Sequence, residues 1–548
     1  MVNQPQVRSR EVDAVIVGAG FSGLYMLHRL RELGFTTRLF DAADGVGGTW
    51  YWNRYPGARC DSESHYYCYS FSDEIRKEWK WSCRYPAQPE ILGYLNFVAD
   101  RLDLKKDIDF NTRITAGTYD EAAHRWAVET DQGETVHARF LITGVGNTST
   151  PARPSIPGLD SFTGNVYHTA LWPHEKVDFT GQKVALIGTG SSGIQSTAVI
   201  ATEAAHLTVF QRTANYSVPA RNHDLTDEMR QELEDNYDET RRLILASPIG
   251  MPFEIPQKSA LEVSDEERKA TLDSLWEIGS FKFMFTSYND IVLDLKANAT
   301  VAGYIEAKIR DTVNDPAKAD VLCEFNHPVG TKRPPIDTNY YETFNRDNVS
   351  IVSIRKNPIR EVTVDGLIME NGDHHQVDSI VFATGFDTVT GTLNKLNLRG
   401  KGGISLADKW RDGPRAYLGL CTAGFPNLFM ITGPGTPGIL TNFPGCIEQN
   451  VNWIADVMTR MRDTNAIEIE TSEHDETQWA QEITDVANTT LLTTVDSWYM
   501  NTNLPGKPRV FSAYFGGMHT YADVCADVAK NNYKGFEIRN NEMADAAA

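Results

Sequence analysis

Two stretches of this chain set three closely spaced glycines directly after a short apolar run, and no other feature restricts the fold as much. The first reads DAVIVGAGFSG, with Ala14 to Val17 as the apolar run and Gly18, Gly20 and Gly23 as the loop. A continuous apolar run is what a strand buried on both faces of a parallel sheet requires. The loop lets the chain turn, brings backbone N–H groups against a pyrophosphate and packs the next helix on the strand, N-terminus toward the phosphates. Leu24, Leu27, Leu30 and Leu33 then recur at helical spacing, Gly34 ends the helix, and Thr37 to Phe40 predict a second strand. That strand ends at Asp41, an acid placed to bind a ribose hydroxyl pair. A lone glycine triplet is weak evidence, but strand, loop, helix, strand and acid in register predict a dinucleotide-binding unit.

The unit recurs as KVALIGTGSSG, with Val184 to Ile187 as strand and Gly188, Gly190 and Gly193 as loop. Its second strand ends in Gln211, Arg212 and Thr213, a cation and a hydroxyl suited to a 2′-phosphate that a carboxylate would repel, which predicts NADP rather than NAD. Two such units predict electron transfer between FAD and NADPH. The apolar runs FLITGVG at 140–146 and SIVFATGFD at 379–387 fit strands followed by chain crossings between two domains. Between Asn222 and Gly330 the sequence is charge-rich and helical, punctuated by Pro252, Pro256 and Pro328. The predicted fold class is α/β, two Rossmann-like dinucleotide-binding domains with a helical insertion. The expected division is 1–150 and 387–540 for the FAD-binding domain, 151–221 and 331–386 for the NADP-binding domain, 222–330 for the insertion and 541–548 for a disordered tail.

At 548 residues the chain is too long for one hydrophobic core, so two or three domains and a site between them are expected. A formal charge of -21 disfavours nucleic acid and anionic membrane as partners, so any anion site must be locally basic. The N-terminal MVNQPQVRSREVD has no apolar signal core, and no apolar stretch reaches the roughly 18–20 residues that span a bilayer. A soluble, cytoplasmic protein is expected. The 7 cysteines form no C-x-x-C pair and read as reduced and structural, and no metal site is expected.

In the connection just before the second glycine loop, Phe162, Gly164, His168, Thr169, Trp172 and Pro173 match F-x-G-x-x-x-H-T-x-x-W-P. This resembles the fingerprint of the Baeyer–Villiger monooxygenases, flavoproteins that oxidise ketones to esters or lactones. The resemblance extends along the chain through GGTWYWNRYPGARCD at 47–61, TKR at 331–333, ATGFD at 383–387, ITGPG at 431–435 and SWYMNTNLPGKPRVF at 497–511. Within the family it looks closest to the phenylacetone, steroid and cyclohexanone monooxygenases. The resemblance implies FAD and NADPH as cofactors, a small-molecule ketone and O2 as substrates, and a flavin peroxide as the oxygenating species. It sets no oligomeric state.

Residue by residue, the resemblance implies Arg333 as the catalytic arginine and Asp61 as its counterion. Gly18, Gly20, Ser22, Gly23, Asp41, Thr49, Trp50, Asp61 and Tyr67 match FAD contacts. Gly188, Thr189, Gly190, Ser191, Ser192, Gly193, Arg212, Thr213, Lys332 and Trp498 match NADP contacts. The loop GPGTPGILTNFPG at 433–445, two residues longer than the cyclohexanone type, places Gly438, Ile439, Leu440 and Phe443 at the ketone pocket, and the fingerprint residues are expected to couple the two domains. Trp50, Tyr51, Trp52 and Tyr55 are in part core. Two other readings stand beside this one: a flavin monooxygenase acting on nitrogen or sulfur, and a non-catalytic NADP-binding redox sensor. Cys60 and Cys68 sit in an otherwise monooxygenase-like segment, which argues against a disulfide reductase.

Overall fold

The computed structural model describes residues 9–540, so the tail expected to be disordered, 541–548, lies outside the described residues, as do residues 1–8. The first unit supplies strands β1 (Ser9–Val17) and β2 (Thr37–Phe40), and the next hundred residues add β3 (Ile108–Asp109), β4 (Ile114–Asp120), β5 (Arg125–Thr130) and β6 (Thr135–Thr143). β1 lies parallel between β2 and β6, with Ala14 opposite Thr37 on one side and Phe140 on the other. Flanked on both sides, Ala14, Val15 and Ile16 are fully buried, which explains why the sequence there is continuously apolar. β4, β5 and β6 form an antiparallel meander on the same sheet.

The chain then builds a second sheet from β7 (Asn165–His168), β8 (Lys183–Ile187), β9 (His206–Gln211), β12 (Val349–Ser353) and β16 (Ser379–Phe382), in the order β12-β9-β8-β16-β7 and parallel throughout. Before β12, the short β10 (Val218–Pro219) and β11 (Ile336–Asp337) pair in parallel across the insertion. After β12, β13 (Ile359–Thr363), β14 (Gly366–Met369) and β15 (His374–Gln376) form an antiparallel side sheet. β17 (Leu398–Arg399) and β18 (Leu428–Met430) return to the first sheet, beside β4 and β6.

Each sheet carries its own core. The helix Phe21–Glu32 buries Leu24, Leu27 and Leu30 in one cluster with Val451, Ile454 and Met458 of the long helix Phe443–Asp463. Leu33 is the C-cap and Gly34 takes φ 80, the left-handed turn that ends the helix. Between β10 and β11 the described chain contains helices and no strand, and these bury Leu272, Val301 and Ile305 with Leu186, Ile194 and Ile200 of the second glycine unit. The insertion is therefore anchored on that unit.

The two crossing segments run side by side. β6 ends at Thr143 and β16 at Phe382, and beyond them Ala152 N donates to Gly385 O at 2.9 Å and Asp387 N to Thr150 O at 2.8 Å. All seven cysteines, Cys60 and Cys68 included, are free thiols. No helix among the described residues is long and apolar enough to cross a membrane.

Candidate active site between the two glycine loops

Both glycine loops open onto one cleft of about 1800 Å³. A typical single small-molecule site spans roughly 300–1,000 Å³, so this cleft has room for more than one ligand. Of the predicted residues, Gly18, Gly20, Ser22, Asp41, Thr49, Trp50, Asp61 and Tyr67 line it from the loops and helices that follow β1 and β2. Gly188, Thr189, Gly190, Ser191, Ser192, Arg212, Thr213, Lys332, Arg333 and Trp498 line the remainder with Ile439 and Phe443. Gly23 and Gly193 lie behind the lining. A Cβ on Gly23 would sit 1.8 Å from Gly18 O, and one on Gly193 2.0 Å from Gly188 O, so each serves the close approach of helix to strand.

The cradle of each loop suits a dinucleotide. Nothing stands within 4 Å of a Cβ built on Gly190, and Gly20 faces only Gly48, at 3.3 Å, so backbone amides at the two helix N-termini are open to a pyrophosphate. At the end of β2, Asp41 accepts from Ala19 N at 2.6 Å and from Ala43 N at 2.8 Å, one bond on each oxygen. Each oxygen keeps a second lone pair for a ribose hydroxyl. Trp50 Nε1 donates to the Tyr67 hydroxyl at 3.1 Å, and burial pushes that phenol well above its usual range.

In the middle of the cleft, Arg333 meets Asp61 in a two-pronged ion pair, Nε to Oδ2 at 2.8 Å and a terminal nitrogen to Oδ1 at 3.0 Å. The Phe281 ring, contributed by the insertion, lies 4.9 Å from the guanidinium carbon. Burial alone would lower the arginine's pKa, but Asp61 outweighs burial and leaves it above its ordinary value. About a fifth of the side chain stays exposed, 21%, so a fixed positive charge faces the cleft. Farther along, Arg212 and Lys332 make no ion pair among the described residues. Burial, and then the neighbouring Arg212, hold the Lys332 ammonium below its usual range, as two cations awaiting an anion would.

The sequence did not reveal how the two halves of the cleft are tied. The Tyr55 hydroxyl donates to Gln195 Oε1 at 2.8 Å, and Gln195 Nε2 donates to Arg59 O at 3.1 Å. These bonds join the 47–61 motif to the helix behind the second glycine loop. Trp50, Trp52 and Tyr55 face the cleft, whereas Tyr51 is buried with its hydroxyl on Asp44 at 2.6 Å. Tyr499, also unforeseen, lies close enough to Arg333 and Asp61 for each to act on its hydroxyl. In the 433–445 loop the outcome is mixed: Ile439 and Phe443 line the cleft, Gly438 and Leu440 do not, and Thr441 does, as does Ile447 just beyond the loop.

The fingerprint lies outside the cleft lining. His168 ends β7, with its Nδ1 accepting from Ala170 N at 3.1 Å. That leaves Nε2–H to face Ala152 O at 3.3 Å and Thr384 Oγ1 at 3.2 Å, one atom from each crossing segment. Trp172 packs with Tyr167 and Phe179 in the second core, and Gly164 allows Asp378 O to approach a built Cβ to 2.3 Å. Phe162 packs beside the β16 core, Thr169 is buried, and Pro173 follows Trp172. The fingerprint thus lies where the chain passes between the first sheet and the second.

Burial lowers the His168 pKa from 6.5. Its neutral form therefore contributes stability that is complete above pH 6.5 and is lost as pH falls through the lowered value. His168→Ala should cost about 1–3 kcal/mol at pH 7.5. The difference from wild type should shrink at pH 5.5, as measured by denaturant unfolding at both pH values, and an equal difference at both would remove the histidine from this junction.

A family pattern described as pyridine nucleotide-disulphide oxidoreductase matches residues 15–249. A phenazine N-monooxygenase from Lysobacter antibioticus is 43% identical over 98% of this chain and 98% of its own length. A Baeyer–Villiger monooxygenase from Pseudooceanicola batsensis is 41% identical over 95% of each. Among solved structures, an oxidised steroid monooxygenase bound to NADP is 48% identical, superposes with a TM-score of 0.93 and covers 97% of this chain and 100% of its own. With both glycine units, the fingerprint and the Arg333–Asp61 pair in place, the chain belongs to the Baeyer–Villiger monooxygenases.

Proposed function

We propose that the protein is an FAD-containing, NADPH- and O2-dependent monooxygenase that converts cyclic, aryl or otherwise bulky ketones to esters or lactones. The observation that carries this reading is the Arg333–Asp61 pair, set in a cleft that both glycine loops share. FAD is assigned to the first unit, with 1–150 and 387–540, and NADPH to the second, with 151–221 and 331–386, the 222–330 stretch being the insertion. When bound, the flavin reduced by NADPH supplies activated oxygen.

The chain's own residues do the rest. Arg333 holds a permanent positive charge where negative charge develops on oxygen as a carbonyl is attacked, and Asp61 fixes its plane by two parallel bonds. Arg212, Thr213 and Lys332 bind the coenzyme 2′-phosphate. Asp41 binds a ribose, and Gly18, Gly20, Ser22, Thr49, Trp50 and Tyr67 seat the flavin nucleotide. Ile439, Phe443 and Ile447 make an apolar wall that keeps water from the reacting oxygen.

Ile439→Ala should shift relative kcat/KM between a bulky aryl ketone and cyclohexanone by about tenfold while flavin content stays intact. Equal loss on both ketones together with a lower Tm would mark Ile439 as core alone.

The relative from Lysobacter favours a second reading, oxygenation of a ring nitrogen in a planar heterocycle, on the same cofactors. A product assay with a ketone and a phenazine side by side separates the two.

A further inference from the structure

Asp337 is a buried acid without a cation. It is 6% exposed, and no ion pair engages it among the described residues. Its Oδ2 accepts from Ser217 Oγ at 2.7 Å and its Oδ1 from Tyr340 N at 3.1 Å. Around it runs the small ladder of β10 and β11, in which Val218 N donates to Pro335 O at 3.0 Å and Ala220 N to Asp337 O at 2.8 Å. The Tyr341 hydroxyl extends the network, accepting from Ser217 N at 3.3 Å and donating to Asn215 O at 3.3 Å.

What this ladder joins gives it a function. Upstream of β10 the chain carries Arg212 and Thr213, and upstream of β11 it carries Lys332 and Arg333. Arg212 and Lys332 line the same cleft and repel each other, so the two segments need a tie to keep both cations on one anion. Arg333 has its own tether in Asp61 and depends on the ladder less. We infer that Asp337 is a positioning residue for the coenzyme phosphate site, its carboxylate splicing the two cation-bearing segments through Ser217 while the Tyr340 amide fixes the carboxylate on its own segment. The inference rests on the reading that Arg212 and Lys332 meet the 2′-phosphate.

Stability alone does not explain a carboxylate at this position. Burial, opposed by the Ser217 and Tyr340 bonds, pushes the acid up to about 6, with Tyr340, Tyr341, Glu342 and Arg221 as the titratable or charged groups facing it. A raised carboxyl pKa means that the folded state favours the protonated form. Ionisation therefore costs stability as pH rises from 3.8 to about 6, and the cost is complete above that. Asn fits the site, because Ser217 Oγ can turn to donate to Pro335 O, 3.3 Å away, and accept from the amide. Asp337→Asn should thus leave Tm at pH 7.5 unchanged or raised while exchanging the charge-assisted bond to Ser217 for a weaker neutral one.

The test measures flavin content, Tm, kcat, and KM for NADPH and NADH in the holoenzyme at pH 7.5 and 5.5, for wild type, Asp337→Asn, Ser217→Ala and Arg212→Ala. Asp337→Asn is expected to raise KM for NADPH about tenfold at pH 7.5, with kcat and KM for NADH within about twofold. The ratio of variant to wild-type KM should fall toward unity at pH 5.5, where the wild-type acid is itself protonated; titration of the coenzyme phosphate is common to both proteins and cancels. Ser217→Ala should shift the preference in the same direction. An unchanged KM for NADPH, or equal weakening of both coenzymes in Asp337→Asn and Ser217→Ala, overturns the inference. If Arg212→Ala shifts the preference and Asp337→Asn does not, the positioning role alone fails. Equal weakening of both coenzymes by Arg212→Ala overturns the phosphate reading and this inference with it.

Discussion

Arg333→Ala should retain flavin and still oxidise NADPH, yet form ester at a rate lower by about a hundredfold or more, since losing a donor to developing negative charge costs on the order of 3 kcal/mol. The contacts of Arg333 give the reason to expect a loss confined to oxygen transfer. Arg333 bonds to Asp61 rather than to either glycine loop, and the residues lining both loops are otherwise untouched by the change. Removing the guanidinium leaves Asp61 without its partner, and that unpaired carboxylate is repelled by any anion forming beside it. Arg333→Lys keeps a charge but loses the fork, so it should recover only part of the rate. Coupled NADPH oxidation and ester analysis check both variants, and ester formation by Arg333→Ala near the wild-type rate would remove the arginine from the chemistry.

Replacing Arg212 and Lys332 together should weaken NADPH by about a hundredfold or more while changing NADH little, because each charge-assisted bond to a phosphate contributes about 1.5–3 kcal/mol. Neither cation has an ion-pair partner among the described residues, and each faces the cleft, so no internal contact is sacrificed. Burial and mutual repulsion already hold Lys332 below its usual range, and taking both charges away relieves that strain. The ratio of KM values for the two coenzymes is the readout. Equal weakening of both would mean that these residues serve the fold instead.

Much of the fold was legible because two local patterns carry it. Val184 to Ile187 are continuously apolar because β8 has β9 on one side and β16 on the other, and the glycines announce the turn that must follow. The β10–β11 ladder was invisible, since two residues on each side have no periodicity and their partners are separated by the whole insertion. The Tyr55–Gln195 bond was equally out of reach, joining residues 140 apart that share no motif.

The cleft was legible to different degrees. Arg333 and Asp61 were paired by resemblance, and the geometry brings them into a two-pronged contact. In the 433–445 loop, however, the short helical turn Gly438–Leu440 directs Ile439 to the cleft and leaves its two neighbours outside the lining. Sequence shows that such a loop is apolar, but the face that each residue presents depends on the turn. The fingerprint was read as a coupling element, and its histidine touches both crossing segments, a position that no spacing of His168 and Trp172 along the chain could reveal.

The most direct test of the central claim supplies the purified protein with NADPH, an aryl ketone and isotopically heavy O2, and analyses the product by mass spectrometry. The account predicts an ester carrying a single heavy oxygen atom, formed in step with NADPH consumption by wild type and nearly absent with Arg333→Ala. Unaltered ketone beside full NADPH consumption by the wild-type protein, with a phenazine in the same mixture converted to its N-oxide, would contradict it.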